Sequence, residues 1–158
     1  MTTILSLDAS TTAVGWALFE DADLARSSVF VPDARLPWWA RVRSIGRWLE
    51  SIEVYPLAVA YEVASGRHGN LHTDRVLGAV HYVARVYAAS VLAEFVEVYP
   101  PQVKATGVHK GDLEMARQFK RAPLHAKYPG DEADALGVGI AAWGIVKAKG
   151  WEALEVRQ

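Results

Sequence analysis

Two short apolar runs that each end in an acid constrain the fold of this chain more than any other feature. The first, Thr3 to Leu7, is rich in apolar and β-branched residues and stops at Asp8; the second, Leu57 to Val63, is nearly continuous and carries Glu62 near its end. Runs of this length without polar alternation read as strands covered on both faces, so helices must pack above and below them. A carboxylate at the end of such a strand is unusual, because burying it without a partner is costly.

The remaining punctuation fits that frame. Ala13 to Phe19 is a further apolar run, and Ala9 to Thr12 between it and Asp8 is turn material, which predicts a β-hairpin. A third strand is expected around Ser27 to Val31, ended by Pro32-Asp33. Trp38, Val42, Ile45, Leu49 and Ile52 recur at helical steps, predicting an amphipathic helix over Trp38 to Glu53. A long helix follows over Leu71 to Leu92, then a strand over Glu94 to Tyr99 stopped by Pro100-Pro101. Leu113 to Arg121 reads as a short helix and Asp131 to Lys149 as a longer one. Three initial strands can pair antiparallel, while the later ones arrive through helical crossovers and so join in parallel. The expected architecture is α/β, with a mixed five-stranded sheet and helices on both faces. The tail after Gly150 is expected to be peripheral.

At 158 residues the chain suits one domain over 1–158, and its apolar content of 51% can form a core. There is no cysteine, so any metal must be held by oxygen or imidazole. No run approaches the length of a membrane span and the first residues lack a signal core, so a cytoplasmic protein with no membrane partner is expected. The net charge of −1 conceals a basic middle: residues 65–130 carry nine basic against five acidic side chains, whereas both flanking segments are net acidic. Such a middle can hold a polyanion locally.

Asp131 and Asp134 lie three residues apart at the start of the last helix, so they share a face while Glu132 points about 100° away. Acids in a first turn also suit the helix dipole. The helix continues Ala135-Leu136-Gly137-Val138-Gly139-Ile140, small and apolar nearly all round, which places it inside the protein. Asp8, Glu62, Asp131 and Asp134 could then meet at one edge of the sheet. Carboxylate clusters suit hard cations such as Mg²⁺ or Mn²⁺, and a pair of these supports phosphodiester hydrolysis.

The runs Ile4-Leu5-Ser6-Leu7-Asp8 with Gly15-Trp16-Ala17, Ala60-Tyr61-Glu62, Gln102-Val103-Lys104 followed by Gly107 and Lys110, and Asp131-Glu132-Ala133-Asp134-Ala135-Leu136 resemble the RuvC-like Holliday junction resolvases in order and spacing. The resemblance spans about residues 3–145. It implies an RNase H-like fold and a homodimeric endonuclease acting on branched DNA, without a nucleotide cofactor. It further implies two Mg²⁺ or Mn²⁺ per site held by Asp8, Glu62, Asp131 and Asp134, and contacts from Lys104 and Lys110 to the DNA backbone near the cleaved phosphate. Departures are plain. Ala9-Ser10 stands where the family commonly has Pro-Gly, and the loop from Ala105 to His109 is short. In place of the family's aromatic after the glutamate come Ser65, Gly66, Arg67 and His68, of which Arg67 and His68 are candidate DNA contacts. These departures suit a diverged, phage-type relative.

Two other readings compete. A dimer could bind branched DNA without cutting it, its acids serving as caps. The run Asp8-Ala9-Ser10-Thr11-Thr12 also resembles the phosphate loop of actin-like and sugar-kinase folds, which need two lobes. The five histidines have no metal-ligand spacing, and His109, next to Lys110, is the one suited to carry a proton. Trp38 and Trp48 fall on the apolar stripe of their helix, whereas Trp39 beside arginines is open to either core or nucleic-acid stacking. On the helix from Leu71, Val76, Val80, Val83, Tyr87 and Val91 suffice to dock it. Ala79, Tyr82, Val86 and Ala89 form a second stripe, expected to be a dimer surface.

Overall fold

The computed structural model describes residues 1–64 and 70–150. Its strands are β1 (Thr3–Ala9), β2 (Val14–Glu20), β3 (Asp23–Phe30), β4 (Ala58–Glu62) and β5 (Glu94–Val98). The helices are α1 (Trp38–Ser51), α2 (Leu71–Ser90), α3 (Pro100–Ala105), α4 (Leu113–Lys120) and α5 (Pro129–Lys149), with a 3₁₀ turn at Lys110–Asp112. The strand order is β3-β2-β1-β4-β5, antiparallel from β3 to β1 and parallel from β1 through β4 to β5. This is the mixed sheet expected from the pattern of runs and crossovers.

The pleat sorts side chains onto two cores. Leu5, Leu7, Val14, Leu18, Val59 and Tyr61 face α1 and α2, where Val42, Ile45, Leu49, Val80 and Tyr87 complete one core. Ile4, Ala17, Phe19, Ala58, Ala60, Val96 and Val98 face α3, α4 and α5 in the other. Because side chains alternate along a strand, Ser6 and Asp8 lie on the α5 side with Ile4, and Glu62 lies there with Ala58 and Ala60. The parity of the strands thus aims both strand-end acids at α5.

That helix lies unusually close to the sheet. From Glu132 through Gly139 every residue is buried, and the sheet positions that meet its first turns, Ser6 and Gly15, are small. A Cβ added at Gly139 would meet the Phe19 ring at 2.0 Å, and one added at Gly15 would meet the Asp131 carbonyl oxygen at 1.9 Å. Ser6, fully buried, is satisfied by donating from Oγ to the Ala135 carbonyl at 2.7 Å. Glycine and alanine therefore set the height of α5 above β1 and β2.

Several boundaries differ from the sequence expectation. β3 starts at Asp23 rather than Ser27, because Glu20 pairs with Asp23 across a two-residue turn, Asp21-Ala22, in which both residues have positive φ (49° and 74°). This turn lacks the glycine or asparagine that usually marks such geometry. Pro100-Pro101 does stop β5, but it also opens α3, where a missing N–H is harmless in a first turn; α3 is too short to show periodicity. Likewise Pro129 begins α5 two residues before Asp131. Arg67 and His68, the candidate DNA contacts after Glu62, lie outside the described residues, as does the tail after Gly150.

Of the docking stripe on α2, Val76, Val80 and Tyr87 are buried, while Val83 and Val91 are half-buried and Ala84 and Ala88 fill the remaining contact. On the second stripe Tyr82 is 67% and Val86 49% exposed. Trp48 stacks on Phe30 with centroids 4.8 Å apart, as its place on the apolar stripe requires. Trp39 is exposed, with the Arg43 guanidinium 5.8 Å from its ring centre. Among the described residues no helix is long and apolar enough to cross a membrane.

Candidate active site

Asp8, Glu62 and Asp134 each offer a carboxylate oxygen within 4.8 Å of the others. They come from three elements distant in sequence: the end of β1, the end of the adjacent parallel strand β4, and the second turn of α5. A cleft of about 430 Å³ opens onto them, lined also by Ser10, Tyr61, Lys104, His109 and Lys110. Asp134 is nearly buried and is held from outside the cluster: the Lys110 backbone N–H donates to its Oδ1 at 2.8 Å, and Lys110 Nζ stands 3.8 Å from Oδ2. The Lys110 side chain is otherwise exposed.

The cluster is electrostatically uncompensated. Burial pushes the Asp8 carboxyl well above its ordinary value, and the charges of Asp134, Glu62 and Asp131 push it further, against a smaller opposing effect of Lys110. Glu62 is pushed up to about 7, first by burial and then by Asp134, with Lys110 and Lys104 opposing. Tyr61, wedged beside both acids, has its phenol raised by burial and by the charges of Asp8 and Glu62. Carboxyls that repel one another in a cleft mark a functional site more often than a structural one.

Asp131 departs from the four-acid expectation. It lies outside the set of oxygens within 4.8 Å and does not line the cleft. Its backbone carbonyl sits over Gly15, one helical turn before Asp134. It remains near enough for its charge to raise Asp8, and its own carboxyl is raised by burial and by Asp134.

Glu132 is a different case, and sequence reasoning gave it no role. Its fully buried carboxylate takes Lys120 Nζ at 2.5 Å and Ser27 Oγ at 2.6 Å on Oε1, and the His125 N–H at 2.6 Å on Oε2. Burial alone would raise it, but the donors from Lys120, Ser27 and His125 outweigh burial and hold it below its ordinary value. This anchor fastens the start of α5 to β3, α4 and the loop between α4 and α5. The signal in the sequence was its place about 100° round the helix from the face of Asp131 and Asp134. Gly15 belonged to a quoted motif without a stated role: it pairs with Asp8 across the hairpin, and its missing Cβ admits the backbone of α5 at the site.

Comparison with family models and with curated proteins finds no match. Among solved structures, Thermus thermophilus RuvC in complex with a Holliday junction substrate is similar over 95% of this chain and 97% of that one, with TM-score 0.77 and 21% identity. A second Thermus thermophilus RuvC structure matches over 94% and 97%, with TM-score 0.70 and 22% identity. The chain therefore has a RuvC-like form of the RNase H-like fold.

Proposed function

We propose that the chain is a structure-selective endonuclease that resolves four-way and other branched DNA junctions by phosphodiester hydrolysis, working as a homodimer that places paired nicks. The observation that carries this reading is the convergence of Asp8, Glu62 and Asp134 in an open cleft, on a fold shared over its length with a protein seen bound to a Holliday junction.

Three close carboxylates, with Asp8 and Glu62 raised first by burial and then by neighbouring acids, and with the Lys110 ammonium 3.8 Å from Asp134, fit a divalent cation site. The donor set is oxygen only, which favours Mg²⁺ or Mn²⁺. Asp8, Glu62 and Asp134 would hold the ions, two per site in this reading, with Asp131 at the flank. When bound, such ions supply an activated water and offset the charge on the leaving oxygen.

The chain's own residues do the rest. Lys104 and Lys110 stand on the rim of the cleft, where ammonium groups pair with phosphates of the incoming backbone. The Lys110 N–H holds Asp134 in one rotamer, so the cluster is assembled before substrate arrives. Arg67 and His68 remain DNA contacts of this proposal. The site of action is the cytoplasm of a bacterial or phage-infected cell.

The test is direct. Purified protein should nick a synthetic four-way junction at symmetric positions in Mg²⁺ or Mn²⁺, leaving linear duplex of equal length untouched. A protein that binds the junction but never cuts in either metal would instead be an architectural branched-DNA binder.

A further inference from the structure

We propose that His109 is a substrate-contacting residue whose Nε2–H donates a hydrogen bond to the phosphodiester at the carboxylate cluster; this deepens the nuclease reading and rests on it. The ring's Nδ1 accepts the Gly111 backbone N–H at 2.9 Å and so caps the 3₁₀ turn Lys110–Asp112. A nitrogen that accepts a hydrogen bond carries no proton, so the neutral ring keeps its proton on Nε2.

Gly111 also sets the ring's orientation. A Cβ there would lie 2.6 Å from Cε1 and 2.9 Å from Nδ1 of His109 but 3.9 Å from Nε2, so the Nδ1 edge faces the backbone and Nε2 lies on the far edge. His109 is half-buried and lines the same cleft as Asp8, Glu62 and Asp134. Its position relative to the acids is fixed, because the next residue, Lys110, binds Asp134 through its backbone N–H at 2.8 Å.

The tautomer narrows what the ring does. A metal ligand or general base at Nε2 would need a lone pair there, and the capping bond leaves a proton instead. The proton-carrier role expected from the sequence therefore gives way to a fixed donor. Beside carboxylates that accept once ionised, a neutral donor matches a non-bridging phosphate oxygen and adds no charge to be desolvated.

Two measurements test this. First, ¹⁵N chemical shifts of the imidazole in the metal-free protein should report the Nε2–H tautomer; an Nδ1–H tautomer overturns the inference whatever the activity. Second, cutting of a four-way junction in Mg²⁺ should fall roughly 10- to 100-fold in His109→Ala, the loss expected for a hydrogen bond to a charged group. Gly111→Ala should fall similarly, because its Cβ displaces the ring without deleting it. His109→Gln, which retains a side-chain N–H, should keep most of the rate, and thermal melts should confirm that all three fold. If the parent protein cuts and folded His109→Ala or Gly111→Ala cuts equally well, this inference alone is lost. If the parent never cuts, the nuclease reading falls and the role of His109 with it.

Discussion

At the scale of single residues, the site is a set of acids held in a costly state, and two outcomes follow. Asp134→Asn should abolish cutting while leaving junction binding intact or tighter. The asparagine Oδ1 still accepts the Lys110 N–H, so the fold is preserved, and one charge that repels DNA phosphate is gone. Gel-shift and nicking assays on one preparation check this; retained cutting would remove Asp134 from the chemistry. Glu62 predicts an unusual pH dependence. Its folded carboxyl titrates at about 7 against an ordinary 4.5, so below 4.5 it is protonated in both states and costs nothing. Between 4.5 and 7 only the unfolded chain releases the proton, so metal-free stability declines as pH rises and levels off above 7. Asp8, also raised, acts in the same direction. Mg²⁺ should therefore raise the melting temperature more at pH 8 than at pH 5; an equal rise at both would mean that these acids do not bind the ion.

At the scale of elements, the site depends on how closely α5 approaches β1 and β2. The hairpin places Gly15 opposite Asp8, and the Asp131 carbonyl occupies the space where a Cβ at Gly15 would be. Gly15→Ala should lift the start of α5 and carry Asp134 away from Asp8 and Glu62. We expect a loss of about 1 to 3 kcal/mol in stability, typical of overpacking, with a disproportionate loss of Mg²⁺ affinity by calorimetry. Normal Mg²⁺ affinity in this variant would show that helix height does not control the cluster. Local pattern was enough for the elements themselves. Apolar runs located β1, β2, β4 and β5, and helical periodicity located α1 and α2. The start of β3 and all of α3 were not legible, since the Asp21-Ala22 turn carries no glycine and six residues are too few to show a period.

At the scale of the molecule, α1 and α2 leave an apolar strip uncovered. On the second stripe of α2, Tyr82 and Val86 are not covered by the neighbouring helices among the described residues. A two-fold dimer through this face would present two carboxylate clusters to a symmetric junction. Sedimentation should give a dimer, and Tyr82→Glu a monomer that has lost paired nicking; a monomeric parent would refute the assignment.

What the sequence determined alone follows from short-range physics. Strand and helix periods, proline stops and the absence of cysteine bounded the architecture, and acids at the ends of apolar strands marked Asp8 and Glu62 as exceptional. Helical spacing added Asp131 and Asp134 as a pair, and the resemblance to RuvC-like resolvases implied the RNase H-like fold. What only the tertiary structure decided depends on contacts between distant segments: strand register, the depth at which α5 packs, and the turn that presents His109. Spacing along α5 treated Asp131 and Asp134 alike, but only Asp134 brings a carboxylate oxygen within 4.8 Å of those of Asp8 and Glu62. The same packing buried Glu132 among Lys120, Ser27 and the His125 N–H. Helical period says which residues share a face; what that face meets is settled by the segments that fold against it.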